Sequence, residues 1–193
     1  MTFILASGSA SRRALLTNAG VSFEVDPADI DEAAFKSEFE GTPATLALEL
    51  AEQKALAVSR RRSGLVLGSD QVLEFQGQAY DKAQSPAEAR ARLTQLRGQT
   101  HYLQGGIAAA RDGEIIWRHQ ATSTLVVRDF SDAFLDQYLD QAGDILTKAV
   151  GCYAFEGLGV QLFERVEGDY FAILGLDLVP VLNLLREQGV LDS

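Results

Sequence analysis

LASGSASRRALL, residues 5 to 16, is the stretch on which the reading of this chain turns. Residues 2 to 6 (TFILA) are an apolar run suited to a short buried strand, and a helix is expected over 10–19. Between them stand Ser7, Gly8, Ser9, Ala10 and Ser11, followed by Arg12 and Arg13. Ser7 or Ser9 can cap the helix, Leu15 and Leu16 can face a core, and Gly20 can stop it. A small, glycine-containing loop between strand and helix leaves backbone N–H groups free at the positive end of the helix dipole. Serine hydroxyls add donors, and two arginines add fixed charge with bidentate reach to phosphate. That describes a phosphate cradle without a Walker lysine. It equally describes a serine-capped helix with exposed arginines, and the stretch alone does not separate the two.

The arginines stand in an acidic chain of 193 residues, with 17 Lys+Arg against 27 Asp+Glu and a formal net charge of −10. This balance disfavours a nucleic-acid polymer as partner and leaves room for a small anion in a local basic pocket. With 47% hydrophobic and 23% charged residues, the composition is that of an average globular protein. No linker, repeat or low-complexity tract divides it, so one compact domain over 1–193 is expected. Cys152 is alone, which excludes an intrachain disulfide and fits a reducing cytoplasm. Two histidines and one cysteine exclude a structural zinc site. No apolar run is long enough for a membrane span, and MTFILASGS lacks the basic start and long apolar core of a signal peptide.

Outward from the first helix, Val21, Phe23 and Val25 alternate at the strand period, and an acidic loop carries Asp26, Asp29, Asp31 and Glu32. Thr42-Pro43 opens a helix with Leu46, Ala47, Leu50 and Ala51 on one face and Arg60 to Arg62 near its end. LVLGSDQVLEF (65–75) reads as an apolar strand interrupted by Gly68, Ser69 and Asp70, with a turn at Gly77-Gln78. Ser85 to Glu88 is a capping box whose helix ends near Gly98. Asp112-Gly113 joins strands over 101–110 and 114–128. A helix from Ser131 to Tyr138, strands over 152–156 and 160–165, and a last helix over 175–188 complete the chain. Helices and strands interleave, yet the long hairpin rules out a wholly parallel sheet, so the fold class is α/β with a mixed β-sheet.

Several polar residues stand where chemistry is affordable. Asp70, between Val66-Leu67 and Val72-Leu73, is costly if buried without a partner. It can deprotonate a water, hold a divalent metal, or simply form a turn. Asp31-Glu32 can meet a triphosphate only through Mg²⁺ or Mn²⁺, because direct contact is repulsive; otherwise the pair is solvated. Glu156, in CYAFEGLG, can accept from the N1–H and N2–H₂ donors of a guanine edge or can face water. Lys54 and Lys82 are isolated cations, and His101 and His119 have no partner spacing.

Together these stretches resemble the Maf family of nucleoside triphosphate pyrophosphatases, and the resemblance covers nearly the whole chain. The family opening matches Leu5 to Leu16, its acidic motif Asp31-Glu32, its A-x-x-KA helix Ala51 to Ala55, and its GxD strand Gly68-Ser69-Asp70. Lys82, Leu96 to His101, and Gly168 to Leu178 match further family motifs in the same order. The resemblance implies an elongated sheet flanked by helices, in two lobes around a cleft, as in inosine triphosphate pyrophosphatases. It implies a hydrolase acting on acid anhydrides that cuts between the α and β phosphates, with Mg²⁺ or Mn²⁺, giving a nucleoside monophosphate and pyrophosphate. Ser7, Ser9, Arg12, Arg13, Lys54 and Lys82 would then neutralise phosphates; Glu32 and Asp70 would place the metal and the water, with Asp70 as the base. A homodimer is also implied.

The chain departs from the family pattern in ways that bear on the base. Ala10-Ser11 replaces the usual Pro-Arg or Pro-Trp, and Asp81-Lys82-Ala83 replaces Gly-Lys-Pro. Gln71 and Glu156 resemble the 7-methyl-GTP branch rather than the branch acting on dTTP and UTP. Ser11, however, cannot stack on a cationic base as that branch's tryptophan would. The expectation is a pyrophosphatase leaning to guanine-like bases. The alternatives are a dTTP/UTP pyrophosphatase and a non-catalytic nucleotide-binding regulator of division, since the family has been linked to septum formation.

Overall fold

The protein is described from a computed structural model covering residues 2–192. Strands β1 (Phe3–Leu5), β2 (Glu24–Val25) and β3 (Leu65–Phe75) run parallel. Strands β4 (Gln78–Tyr80), β5 (Thr100–Arg111), β6 (Glu114–Val127) and β7 (Phe163–Glu167) extend the sheet antiparallel. The order is β2-β1-β3-β5-β6-β7, with β4 also paired to β3. This is the mixed α/β sheet expected from the sequence. Asp112-Gly113 makes the expected turn with both residues left-handed (φ 52° and 82°). The β3–β4 turn falls on Gln76-Gly77 (φ 52° and 75°), one residue earlier than expected.

Helix α1 (Ala10–Asn18) joins β1 to β2 and packs Leu15 and Leu16 against Leu5, Leu67 and the buried face of α8 (Leu178–Glu187). Helix α3 (Pro43–Ser59) packs Ala51 and Ala55 on Ala108 and Ala110 of β5. It starts with Pro43 at its first turn and a reciprocal Thr42–Thr45 cap. Because β2 and β3 flank β1 on opposite sides, the chain changes direction at the carboxyl end of β1. Open α/β sheets form their ligand crevices at such a switch point.

The register along β3 shows where the crevice opens. Leu65 to Leu67 pair with β1, and Leu73 to Phe75 pair with β4. Residues 68–72 have β5 on one side and, among the described residues, no strand on the other. The core divides at the same place. One cluster, around Leu5, Leu16, Leu67 and Val181, lies before the gap. The other, around Leu73, Leu93, Leu103 and Tyr138, lies beyond it under α4 (Pro86–Leu96), α5 (Asp132–Ala142) and α6 (Ile145–Lys148). His101 is buried against the second cluster, its Nε2 2.7 Å from the Tyr153 hydroxyl, and burial pulls its pKa down to about 4. No helix among the described residues is long and apolar enough to cross a membrane.

Some elements differ from the sequence reading. The acidic loop contains α2 (Glu32–Glu38), begun by Asp31, whose carboxylate accepts from the Ala34 N–H at 2.9 Å. Residues 152–156 form a turn rather than a strand: Cys152 is left-handed (φ 60°) and its carbonyl accepts from the Tyr138 hydroxyl at 2.9 Å. Residues 158–162 are a 3₁₀ turn, and β7 starts only at Phe163. The expected last helix starts three residues later, as α8, because Gly175 is left-handed (φ 103°); before it stands a short α7 (Tyr170–Ile173) that the sequence reading did not give.

Two strand glycines set the height of α3 above the sheet. A Cβ on Gly68 would stand 2.1 Å from the Ala51 carbonyl oxygen, and one on Gly106 would stand 2.3 Å from that of Ala47. Gly68→Ala is therefore expected to destabilise the fold by about 1–3 kcal/mol through overpacking. Urea unfolding would measure it, and an unchanged midpoint would mean that α3 lifts off the sheet freely.

Candidate active site

Successive side chains of β3 point to opposite faces. Gly68 and Asp70 face α3, whereas Ser69 and Gln71 face the segment around α7. On the α3 side, Lys54 Nζ donates to Asp70 Oδ1 at 2.6 Å. Lys54 is 8% exposed and Asp70 9%, so this ion pair is largely withdrawn from water. Lys54 shares the apolar helix face of Ala51, Ala55 and Val58, and the close approach allowed by Gly68 brings its ammonium to Asp70.

The same ammonium is 2.8 Å from Glu32 Oε1, on the first residue of α2. One helical turn on, Lys36 lies 3.8 Å from Glu32 and 2.5 Å from Asp81 of the β4–α4 loop. The result is an alternating row, Asp81–Lys36–Glu32–Lys54–Asp70. Burial alone would raise the Glu32 pKa, but the Lys54 hydrogen bond and charge, with Lys36 and Lys82 behind it, hold the carboxyl below its usual range. Burial likewise opposes the charge on Lys36. Its hydrogen bond to Asp81, and the charges of Asp81, Asp70 and Glu32, nevertheless raise its pKa. Lys82 itself is exposed, beside Asp81.

On the opposite side, Arg12 Nε donates to the Gly175 carbonyl at 2.8 Å and Nη1 to Ser7 Oγ at 3.1 Å. Burial lowers the Arg12 pKa, while Asp70 and Glu32 act against it, so the guanidinium feels the same carboxylates as Lys54. Ser7 Oγ also accepts from the Ser9 N–H at 3.2 Å, and Ser9 caps α1 by accepting from the Arg12 N–H at 3.4 Å. Ser69 Oγ donates to the Gly175 carbonyl at 3.2 Å. Gln71 Nε2 donates to the Ala172 and Ile173 carbonyls at 2.8 and 3.3 Å.

The structure thus brings together Ser7, Ser9, Arg12, Glu32, Lys54 and Asp70, with Lys82 at the margin. Arg13 is not in this group: it is exposed and borders a surface groove with Ala10, Thr17 and Phe23. Gln71 uses its amide on α7, and Ser11 is half-buried in the first turn of α1. Glu156 is exposed, in the turn after Tyr153. Sequence reasoning missed Lys36 and Asp81; the i,i+4 spacing of Glu32 and Lys36 signals Lys36 once α2 is recognised, whereas no local signal marks Asp81. It also missed Arg92, a buried residue of α4 that donates to the Asp81 and Val150 carbonyls and fixes the loop carrying Lys82.

Glu32 and Asp70 converge on a single cationic nitrogen. No group of three or more His, Cys, Asp or Glu that could hold a metal occurs among the described residues. Two carboxylates with no further protein ligand suit Mg²⁺ or Mn²⁺, whose other ligands come from substrate phosphate and water, and do not suit zinc.

A crevice at a strand switch point, lined by lysines, an arginine and paired carboxylates, defines an α/β enzyme that handles an anionic substrate. The chain belongs to the Maf-like protein family, whose model matches residues 2–188. It is 53% identical over 193 residues to a nucleoside triphosphate pyrophosphatase of Maricaulis maris (strain MCS10), covering 99% of this chain and 98% of that one. A nucleoside triphosphate pyrophosphatase of Caulobacter vibrioides (strain ATCC 19089 / CIP 103742 / CB 15) is 50% identical, covering 97% and 96%. A 7-methyl-GTP pyrophosphatase of Rhizobium meliloti (strain 1021) is 46% identical, covering 98% of each. A solved dITP/XTP pyrophosphatase from Mycobacterium abscessus is similar at a TM-score of 0.40 and 15% identity over 67% of this chain and 74% of that one, too remote to bear on function.

Removing Lys54 leaves Asp70 and Glu32 facing each other. Lys54→Met is expected to destabilise the fold by about 2–4 kcal/mol at pH 7.5, below the fully buried limit because Glu32 keeps 40% side-chain exposure. The deficit should shrink at pH 5, as one of the two facing carboxyls takes up a proton. Urea unfolding at both pH values checks this, and an equal deficit at each would reduce Lys54 to a packing role.

Proposed function

We propose that the protein is a nucleoside triphosphate pyrophosphatase that hydrolyses the α–β phosphoanhydride to a nucleoside monophosphate and pyrophosphate, with a preference for guanine-like bases. The observation that carries the reaction is the buried ammonium of Lys54 held between Glu32 and Asp70, with Arg12 on the other side of the same strand. In the free protein the carboxylates of Glu32, Asp70 and Asp81 occupy the lysines. Phosphate oxygens are equivalent partners, so an entering triphosphate takes over Lys54, Lys36 and Lys82 and frees the carboxylates. Arg12, already oriented by Ser7 and Gly175, meets the phosphate without reordering. These fixed cations stabilise the charge that builds up as the anhydride breaks.

Glu32 and Asp70 are the residues that would hold Mg²⁺ or Mn²⁺; such an ion supplies charge neutralisation and makes a bound water more acidic. Asp70, released from Lys54, accepts the proton of the attacking water. The water oxygen bonds to phosphorus, and the bridging oxygen leaves with the departing phosphate group. The guanine preference rests on the Glu156 carboxylate as acceptor for N1–H and N2–H₂. It is supported by relatives in Rhizobium meliloti and Brucella abortus that carry the name 7-methyl-GTP pyrophosphatase.

Pyrophosphate release from dTTP, UTP, CTP, GTP, 7-methyl-GTP and ITP, with Mg²⁺ or Mn²⁺, tests both parts. Asp70→Asn is expected to lower kcat about 100- to 10,000-fold while triphosphate still raises the melting temperature. A near-wild-type rate would remove Asp70 as the base. Glu156→Gln should lower kcat/KM for guanine nucleotides relative to pyrimidines, and an unchanged ranking would defeat the base assignment. Binding without turnover across the whole panel would favour a nucleotide-binding regulator.

A further inference from the structure

Tyr170, the first residue of α7, is 48% exposed although it lies within an aromatic cluster. Its ring centroid is 6.2 Å from Phe155 and 5.7 Å from Phe171, both steeply inclined to it at 58° and 73°. Phe155 rests in turn on Phe163 at 5.8 Å. These neighbours steady the ring while leaving about half of the residue open to water. An open aromatic ring held in place is suited to a planar partner.

The helix beneath Tyr170 is tied to the site residues. Asp169 caps it by accepting from the Ala172 N–H at 2.9 Å. Gln71, next to Asp70 in β3, donates to its Ala172 and Ile173 carbonyls. The segment ends at Gly175, whose carbonyl holds Arg12 and Ser69. Tyr170 therefore sits five residues before Gly175, in the segment that holds the arginine. Phe155, packed on Tyr170, precedes Glu156 in the chain. The aromatic ring is thus joined to the carboxylate proposed to read the base through its contact with Phe155, and to the arginine proposed to bind phosphate through Gly175.

We propose that Tyr170 is the base-stacking residue of the nucleotide site and that it sets the preference for a purine with a positively charged ring, such as 7-methylguanine. This rests on the pyrophosphatase reading above. Stacking on an aromatic ring works for any base, and a cationic base gains an added attraction to the ring face. Stacking needs the ring alone.

The experiment measures KM and kcat for 7-methyl-GTP and GTP in the wild type, Tyr170→Ala, Tyr170→Phe and Tyr170→Trp. Inhibition by inorganic tripolyphosphate, which has no base, is measured alongside. Tyr170→Ala should raise KM for 7-methyl-GTP about 10- to 100-fold, more than it lowers kcat, and shrink the preference over GTP. Phe and Trp should restore it, with the tripolyphosphate inhibition constant unmoved throughout. An unchanged KM in Tyr170→Ala, or an inhibition constant that rises in step with KM, would overturn the proposal. Calorimetric binding of 7-methyl-GMP to the wild type and Tyr170→Ala keeps the two readings apart. Weaker binding by the variant supports the stacking role even if no nucleotide is turned over, and equal affinity overturns it even if turnover is seen.

Discussion

The closeness of α3 to the sheet is the constraint on which the rest of the site depends. Gly68 and Gly106 have no side chain toward the helix, and the helix answers with Ala47, Ala51 and Ala55. Backbone and strand meet with little between them. Lys54, one turn beyond Ala51, is thereby lowered onto Asp70 and reaches it at 2.6 Å. A bulkier pair of surfaces would lift the ammonium away from the strand, and the carboxylate would be left buried without a partner, which is among the costlier states a folded chain can hold.

That geometry serves chemistry more than stability. Withdrawing an ammonium and a carboxylate from water costs several kcal/mol before their attraction is counted, and apolar residues of similar size often do as well. What the row from Asp81 to Asp70 provides is a set of cations already assembled, with Lys54 already withdrawn from water. The strand period separates two tasks. Asp70 faces the lysines, while Ser69 and Gln71 face away from them and fix the backbone that steadies Arg12.

Much of this was legible in the sequence, and the exceptions have physical reasons. The strand–loop–helix at residues 3–18 is marked by a cap and a glycine, and Asp70 by its apolar flanks. Both are local signals. Helix α2 was not legible because it is short and buries no residue fully, so it has no apolar stripe. Asp31 shows the consequence: adjacent to Glu32 in the acidic motif, it is the helix cap, and Glu32 alone turns inward. The stretch 152–156 is rich in strand-forming residues but is held as a turn by a hydrogen bond from Tyr138, fourteen positions earlier. Arg13 looked equivalent to Arg12, yet successive helix residues point about 100° apart, and only Arg12 turns to the cleft.

The carbonyl oxygen of Gly175 accepts from both Arg12 and Ser69, so it pins the start of α1, the central strand and the C-terminal segment at one point. A pin of this kind decides how the molecule can breathe. The C-terminal segment cannot swing outward alone without breaking the contact that orients Arg12.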